Sequence, residues 1–151
     1  MSYKRILVPY DGSETSDKAL VAALNMAREQ GGRVRVIHDI DELAMASGYE
    51  YAGELAQLAR DQGKKLLDDA LVMVRAAGVE GDTRLLDVPG RRLGDAVSDE
   101  AAVWQADLVV VGTHGRRGLS RVLLGSGAES VIRLSTVPVL VIRGDDKGVG
   151  S

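Results

Sequence analysis

The chain contains no cysteine. Disulfides, thiol catalysis and thiolate metal sites are therefore excluded, and the redox compartment is left open. No apolar run approaches the ~20 residues that a membrane-spanning helix needs, so no membrane insertion is expected. Positive charge is not in excess either. The formal net charge is −3, which argues against the concentrated basic face that general nucleic-acid affinity requires. Met1-Ser2-Tyr3-Lys4-Arg5 leads into a strand-like run without the apolar core of a signal peptide, so a cytoplasmic location is expected. Two common phosphate motifs are also missing, since neither G-x4-G-K-[ST] nor G-x-G-x-x-G occurs. What is present, 151 residues of which 45% are apolar and 27% charged, suits one globular domain with a substantial core.

Strand and helix signals alternate along that chain. Arg5 to Tyr10 is a short apolar run that suits a strand covered on both faces, and Pro9 should end it because it cannot donate to a ladder. Asp11-Gly12-Ser13 is turn chemistry, with Ser13 placed to cap a helix carrying Ala19, Leu20, Ala23, Leu24 and Ala27. Gly31-Gly32 stops that helix. Val34, Val36 and Ile37 mark a second strand, ending near His38-Asp39. Asp41 to Gly53 shows no period and is expected to be an excursion at the rim. A long helix from Glu54 to Ala77 reads through Leu55, Ala59, Leu66, Ala70, Met73 and Ala77, with a kink expected at Gly63.

Asp82 to Val88 is a less apolar strand, expected at an edge, and Pro89-Gly90 turns the chain. Leu93, Ala96, Val97, Ala101 and Trp104 form a helical stripe. Asp107 to Val111 is the fourth strand, Ala128, Val131, Ile132 and Ser135 mark a last helix, and Pro138 to Ile142 is the fifth strand. This alternation predicts an α/β, doubly wound domain over residues 1–144, followed by a short polar tail from 145 to 151. Its five-stranded parallel sheet should have the order 3-2-1-4-5, with helices on both faces. Ligands bind such sheets where the winding reverses, here between strands 1 and 4.

The segment after strand 4 fits that position. Leu108 to Ser126 runs from an apolar strand through a basic, glycine-rich loop to a helix start. Glycines admit close approach of an oxyanion, and helix-terminal N–H groups point at it. Gly112, Gly115 and Gly125-Ser126 are spaced G-x2-G-x9-G-S.

That spacing resembles the nucleotide-binding signature of the universal stress protein family, in its ATP-binding branch. Ile6-Leu7-Val8-Pro9-Tyr10-Asp11-Gly12-Ser13-Glu14 is similar to the family's first strand and turn, and Ala106 to Gly115 to its fourth strand. Leu123-Leu124-Gly125-Ser126 with Ala128-Glu129 resembles its phosphate-site helix entry, and Val137 to Ile142 its terminal strand. One departure lies at the site itself: Gly127 stands where a β-branched residue or alanine is usual. The resemblance implies a homodimer or higher oligomer that binds ATP and serves stress adaptation by associating with a protein partner. The expected dimer contact is Val137 to Ile142, an apolar strand at a sheet edge.

Each site residue then has an implied role. Asp11 would accept from the ribose or adenine end, or would merely cap the helix entry. Pro9 would pack on the base, or only fix the turn. Ile37 or His38 would offer backbone groups to the adenine edge. Gly112 would admit the ribose, and Gly115, Gly125, Ser126 and Gly127 would bring amides to the phosphates. Hydrogen bonds to a charged group net roughly 1.5–3 kcal/mol each. A few of them reach a micromolar complex, at about −8 kcal/mol, without a lysine clamp. Arg116, Arg117 and Arg121 are either diffuse phosphate attractors or a solvated basic rim. Mg²⁺ or Mn²⁺ would arrive on the phosphates.

His114 invites a catalytic role but equally suits an ordinary loop residue, and His38 shows no evident partner. No catalytic arrangement stands out. The expectation is a regulatory ATP-binding module, turning ATP over slower than about one per minute. The alternatives are a hydrolase or phosphoryl-transfer enzyme using the same site, and an interaction domain without nucleotide.

Overall fold

The computed structural model describes residues 2–40, 52–87, 91–113 and 126–144. In chain order the elements are β1 (Arg5–Pro9), α1 (Glu14–Gln30), β2 (Arg33–Asp39), α2 (Ala52–Ala76), β3 (Glu80–Leu86), α3 (Leu93–Trp104), β4 (Leu108–Gly112), α4 (Ser126–Leu134) and β5 (Val139–Ile142). The strands form one parallel sheet in the order β3-β2-β1-β4-β5, as expected. Among the described residues no helix is long and apolar enough to cross a membrane.

The sheet separates two cores. On one face Ile6, Val8, Val34 and Val36 pack against α1 and α2. On the other, Leu7, Ile37, Leu86 and Val109 pack against α3 and α4. Alternation of side chains along each strand makes this division, because neighbours in sequence point to opposite faces. Ser13 caps α1 as expected, its hydroxyl accepting from Ser16 N at 3.2 Å.

Several expectations need correction. β3 begins two residues earlier than its apolar residues suggest, because it pairs in step with β2, from Arg33 opposite Glu80 to Asp39 opposite Leu86. α2 runs unbroken through Gly63. That glycine is buried where a Cβ would come within 2.8 Å of His38 and Leu85, so it serves close packing rather than a kink. The buried stripe of α2 is Ala56, Gly63, Leu67, Ala70 and Val74, while Leu55 is exposed. Of the residues that periodicity selects, Ala70 lies in this stripe and Leu66, Met73 and Ala77 pack half-buried against the same core, whereas Leu55 falls on the outer side. Ile132 likewise faces outward on α4, and Ser135 lies just past its end. Ala52 and Gly53, assigned to the excursion, already belong to α2. The rest of that excursion, the loop from 114 to 125 and the tail from 145 lie outside the described residues.

Candidate functional site

The winding reverses between β1 and β4. From β1 the chain leaves through α1 on one face, and from β4 through α4 on the other. The carboxyl ends of these two strands therefore flank a gap that neither α1 nor α4 closes. A cavity of about 570 Å³ occupies it, within the range of small-molecule sites. Pro9, Asp11, Ile37, His38, Gly112 and Gly127 all line it. Gly115, Arg116 and Gly125 lie outside the described residues; Ser126 is the first residue of α4.

The β1 side of the crevice is built from local hydrogen bonds. Asp11 Oδ1 accepts from Ser13 N at 2.9 Å, so this exposed carboxylate also shapes the turn into α1. Tyr10 N–H donates to Ile37 O at 2.8 Å, which ties the ends of β1 and β2 together and occupies the Ile37 carbonyl. The Tyr10 hydroxyl donates to Asp17 at 2.6 Å. Burial, reinforced by the hydrogen bond and charge of Asp17, pushes the phenol well above its ordinary value.

His38 does have a partner. Its Nδ1 lies 2.8 Å from Tyr10 O. A carbonyl can only accept, so Nδ1 carries a proton and donates. The ring is wedged against Gly63 of α2. This contact crosses 28 residues and has no signature in the local sequence.

Gly112 has a second reason to be glycine. A Cβ there would stand 2.5 Å from Thr15 O, so α1 and the end of β4 close on each other only without a side chain. The buried Thr113 follows, its N–H donating to Ile142 O at 2.9 Å and its hydroxyl accepting from Gly144 N at 3.3 Å. These bonds place the departure point of the glycine loop.

The opposite wall was not anticipated from sequence. The start of α3 is pressed onto the start of α4: a Cβ at position 94 would stand 2.3 Å from Ser130 O. Gly94 N donates to the buried Ser130 hydroxyl at 2.9 Å, and that hydroxyl donates to Gly127 O at 2.9 Å. Arg91, Arg92 and Leu93 thereby reach the cavity, joined by Arg133 of α4. The one sequence signal is the Arg91-Arg92 pair after Pro89-Gly90. The first turns of α1, α3 and α4 all border the crevice, and their N–H groups favour an anion there. Among the described residues no group of His, Asp or Glu could hold a metal ion.

A sequence model of the universal stress protein family matches residues 2–143. The chain belongs to the universal stress protein family. It is 34% identical over 145 residues to a universal stress protein of Methanocaldococcus jannaschii, covering 93% of this chain and 82% of that one. Among solved structures it is similar to a universal stress protein family member from Burkholderia pseudomallei. The identity is 32% and the TM-score 0.74, with 93% of this chain and 96% of that chain covered. It is also similar to a universal stress protein of Archaeoglobus fulgidus solved in complex with dAMP. There the identity is 28% and the TM-score 0.71, covering 94% and 99%. Nucleotide binding is thus recorded within the universal stress protein fold.

Proposed function

We propose that this chain binds ATP in the crevice between β1 and β4 and works as a nucleotide-dependent association module in stress adaptation. The carrying observation is the crevice itself. Residues distant in sequence meet there at the sheet's reversal, beside three helix starts and around a space of nucleotide size. The dAMP complex of the Archaeoglobus fulgidus relative supports the same ligand class.

Pro9 then packs on the base, the strand end at Ile37 or His38 offers backbone groups to the adenine edge, and Asp11 accepts from the ribose. Gly127 offers its amide to the phosphates, together with Ser126 and the carried-over Gly115, Arg116 and Gly125. A divalent cation, Mg²⁺ or Mn²⁺, is held by phosphate oxygens and water rather than by a protein cage. The module dimerises along β5, where Leu140 is exposed and Val139, Val141 and Ile142 are half-buried.

Mass spectrometry of the protein released by denaturation tests the ligand directly, and co-purified adenine nucleotide is the expected result. Gly125→Val should abolish ATP binding while leaving the unfolding midpoint unchanged. Unchanged ATP binding by that variant would refute the loop assignment. Phosphate release slower than about one turnover per minute is expected, below the ordinary enzyme range. For the dimer, light scattering of Leu140→Glu should report a monomer where the parent reports a dimer.

A further inference from the structure

We infer that Arg91, Arg92 and Arg133 form a guanidinium rim that makes the crevice read the number of phosphates on its ligand. The rim rests on the nucleotide site proposed above and adds to it Arg91 and Arg92, which lead into α3, an element the glycine signature does not include.

Charge is divided across the cavity. Asp11 and Asp39 line it on the side of β1 and β2, whereas all three arginines, with Glu129 among them, come from the α3–α4 side. The position of α3 on α4 is tightly specified. Leu93 Cδ2 lies 3.0 Å from where a Cβ on Gly127 would be, and Gly94 donates to Ser130. Arg92, next to Leu93, is therefore held beside the first turn of α4. A ligand with its sugar near Asp11 would point its anionic tail at this wall.

Each guanidinium now rests on a carboxylate of the same helix or the helix it leads into. Arg91 pairs with Asp99 and donates to Asp95 O at 3.1 Å. Arg92 Nε lies 3.3 Å from Asp95, and Arg133 Nη1 lies 3.7 Å from Glu129. Asp95, Asp99 and Glu129 are all substantially exposed, and exposed ion pairs of this kind are weak. A phosphate displaces such a partner at little cost. The planar fork of arginine matches phosphate oxygens two at a time. The carboxylates act as placeholders, keeping the forks extended along the wall and lowering the gain from a short tail. Arg92 is the N-cap residue of α3 yet makes no side-chain capping bond, so it can be replaced without loss of a cap.

The test is a titration of the full chain with AMP, ADP, ATP and inorganic tripolyphosphate at low and moderate salt. The parent should bind more tightly with each added phosphate, with the steepest salt dependence for ATP. In the double variant Arg91→Gln/Arg92→Gln, ATP affinity should fall about tenfold or more, the loss of one or two charge-assisted contacts, while AMP stays within about twofold. Asp99→Asn, which frees Arg91, should move ATP affinity in the opposite direction. It also keeps the test decisive if the double variant melts early.

Equal losses for AMP and ATP, or no loss for either, would overturn the rim and leave the nucleotide site standing. A parent that binds tripolyphosphate but no adenine nucleotide would keep the rim and remove the nucleotide reading. A parent that binds none of the four overturns both.

Discussion

On the face covered by α1 and α2, Ile6, Val8, Val34 and Val36 meet Leu20, Leu67 and Val74, and all but Leu67 have essentially no exposed surface. On the face covered by α3 and α4, only the half of the sheet nearest the crevice is closed this way, by Leu7, Ile37, Leu86 and Val109. The other half is charged. Arg35 makes a two-pronged contact with Asp82 at 2.8 Å and a second bond to Glu100 at 2.8 Å. Glu100, buried on α3, also pairs with Arg84 at 3.1 Å. Two guanidiniums stack on the Trp104 ring, Arg5 at 4.4 Å and Arg35 at 5.1 Å from its centroid. The difference follows from topology. α2 spans β2 and β3 on the first face, but no described helix spans them on the second, and ion pairs close what a helix does not.

If the apolar face carries most of the stability, Leu20→Ala should be the costliest change. It deletes a fully buried side chain and should cost about 3 kcal/mol in denaturant unfolding. Glu100→Ala should come next, at about 2 kcal/mol, because Arg35 loses a buried partner but keeps Asp82. A larger loss for Glu100→Ala than for Leu20→Ala would reverse the ranking of the two faces.

Tyr10→Phe should cost about 1 kcal/mol near neutral pH through the lost bond to Asp17. It also has a pH signature. The folded state holds the Tyr10 proton more tightly than the unfolded state. This contribution is complete below about pH 10, the unfolded value, and is lost as pH rises beyond it. Chemical unfolding of the parent should therefore weaken with pH above about 10, and Tyr10→Phe should flatten that slope. Arg33→Ala, which breaks an exposed pair with Glu80, should change stability by less than about 0.5 kcal/mol. A loss as large as that of Glu100→Ala would mean that the charged half acts as one network and not as separate pairs.

The same contrast explains what was legible beforehand. Helix α1 was read correctly down to its individual buried residues, because its apolar side chains form one stripe and capping signals bound it. Helix α2 was legible only in part: periodicity finds Ala70 and the flanking Leu66, Met73 and Ala77, but Leu55, Leu58 and Val72 add apolar residues on an outer side, and packing against β2 and β3 is needed to single out Ala56, Leu67 and Val74. At the site, Pro9, Asp11 and Gly112 could be named because turn chemistry and strand ends are local. Arg91, Arg92 and Arg133 could not, because their place depends on Gly94 meeting Ser130, a contact across 36 residues.

The sequence by itself determined the order of strands and helices, the parallel sheet with its reversal between β1 and β4, and the family. Side-chain periodicity and turn residues act over a few positions, and the rules of chain crossing do the rest. Only the tertiary structure decided which residues of α2 form the centre of its buried stripe, why Gly63 and Gly112 lack side chains, what His38 bonds to and which helix start supplies the basic wall. Those outcomes depend on close approach between segments far apart in the chain, where a single Cβ excludes the contact and no local pattern records it.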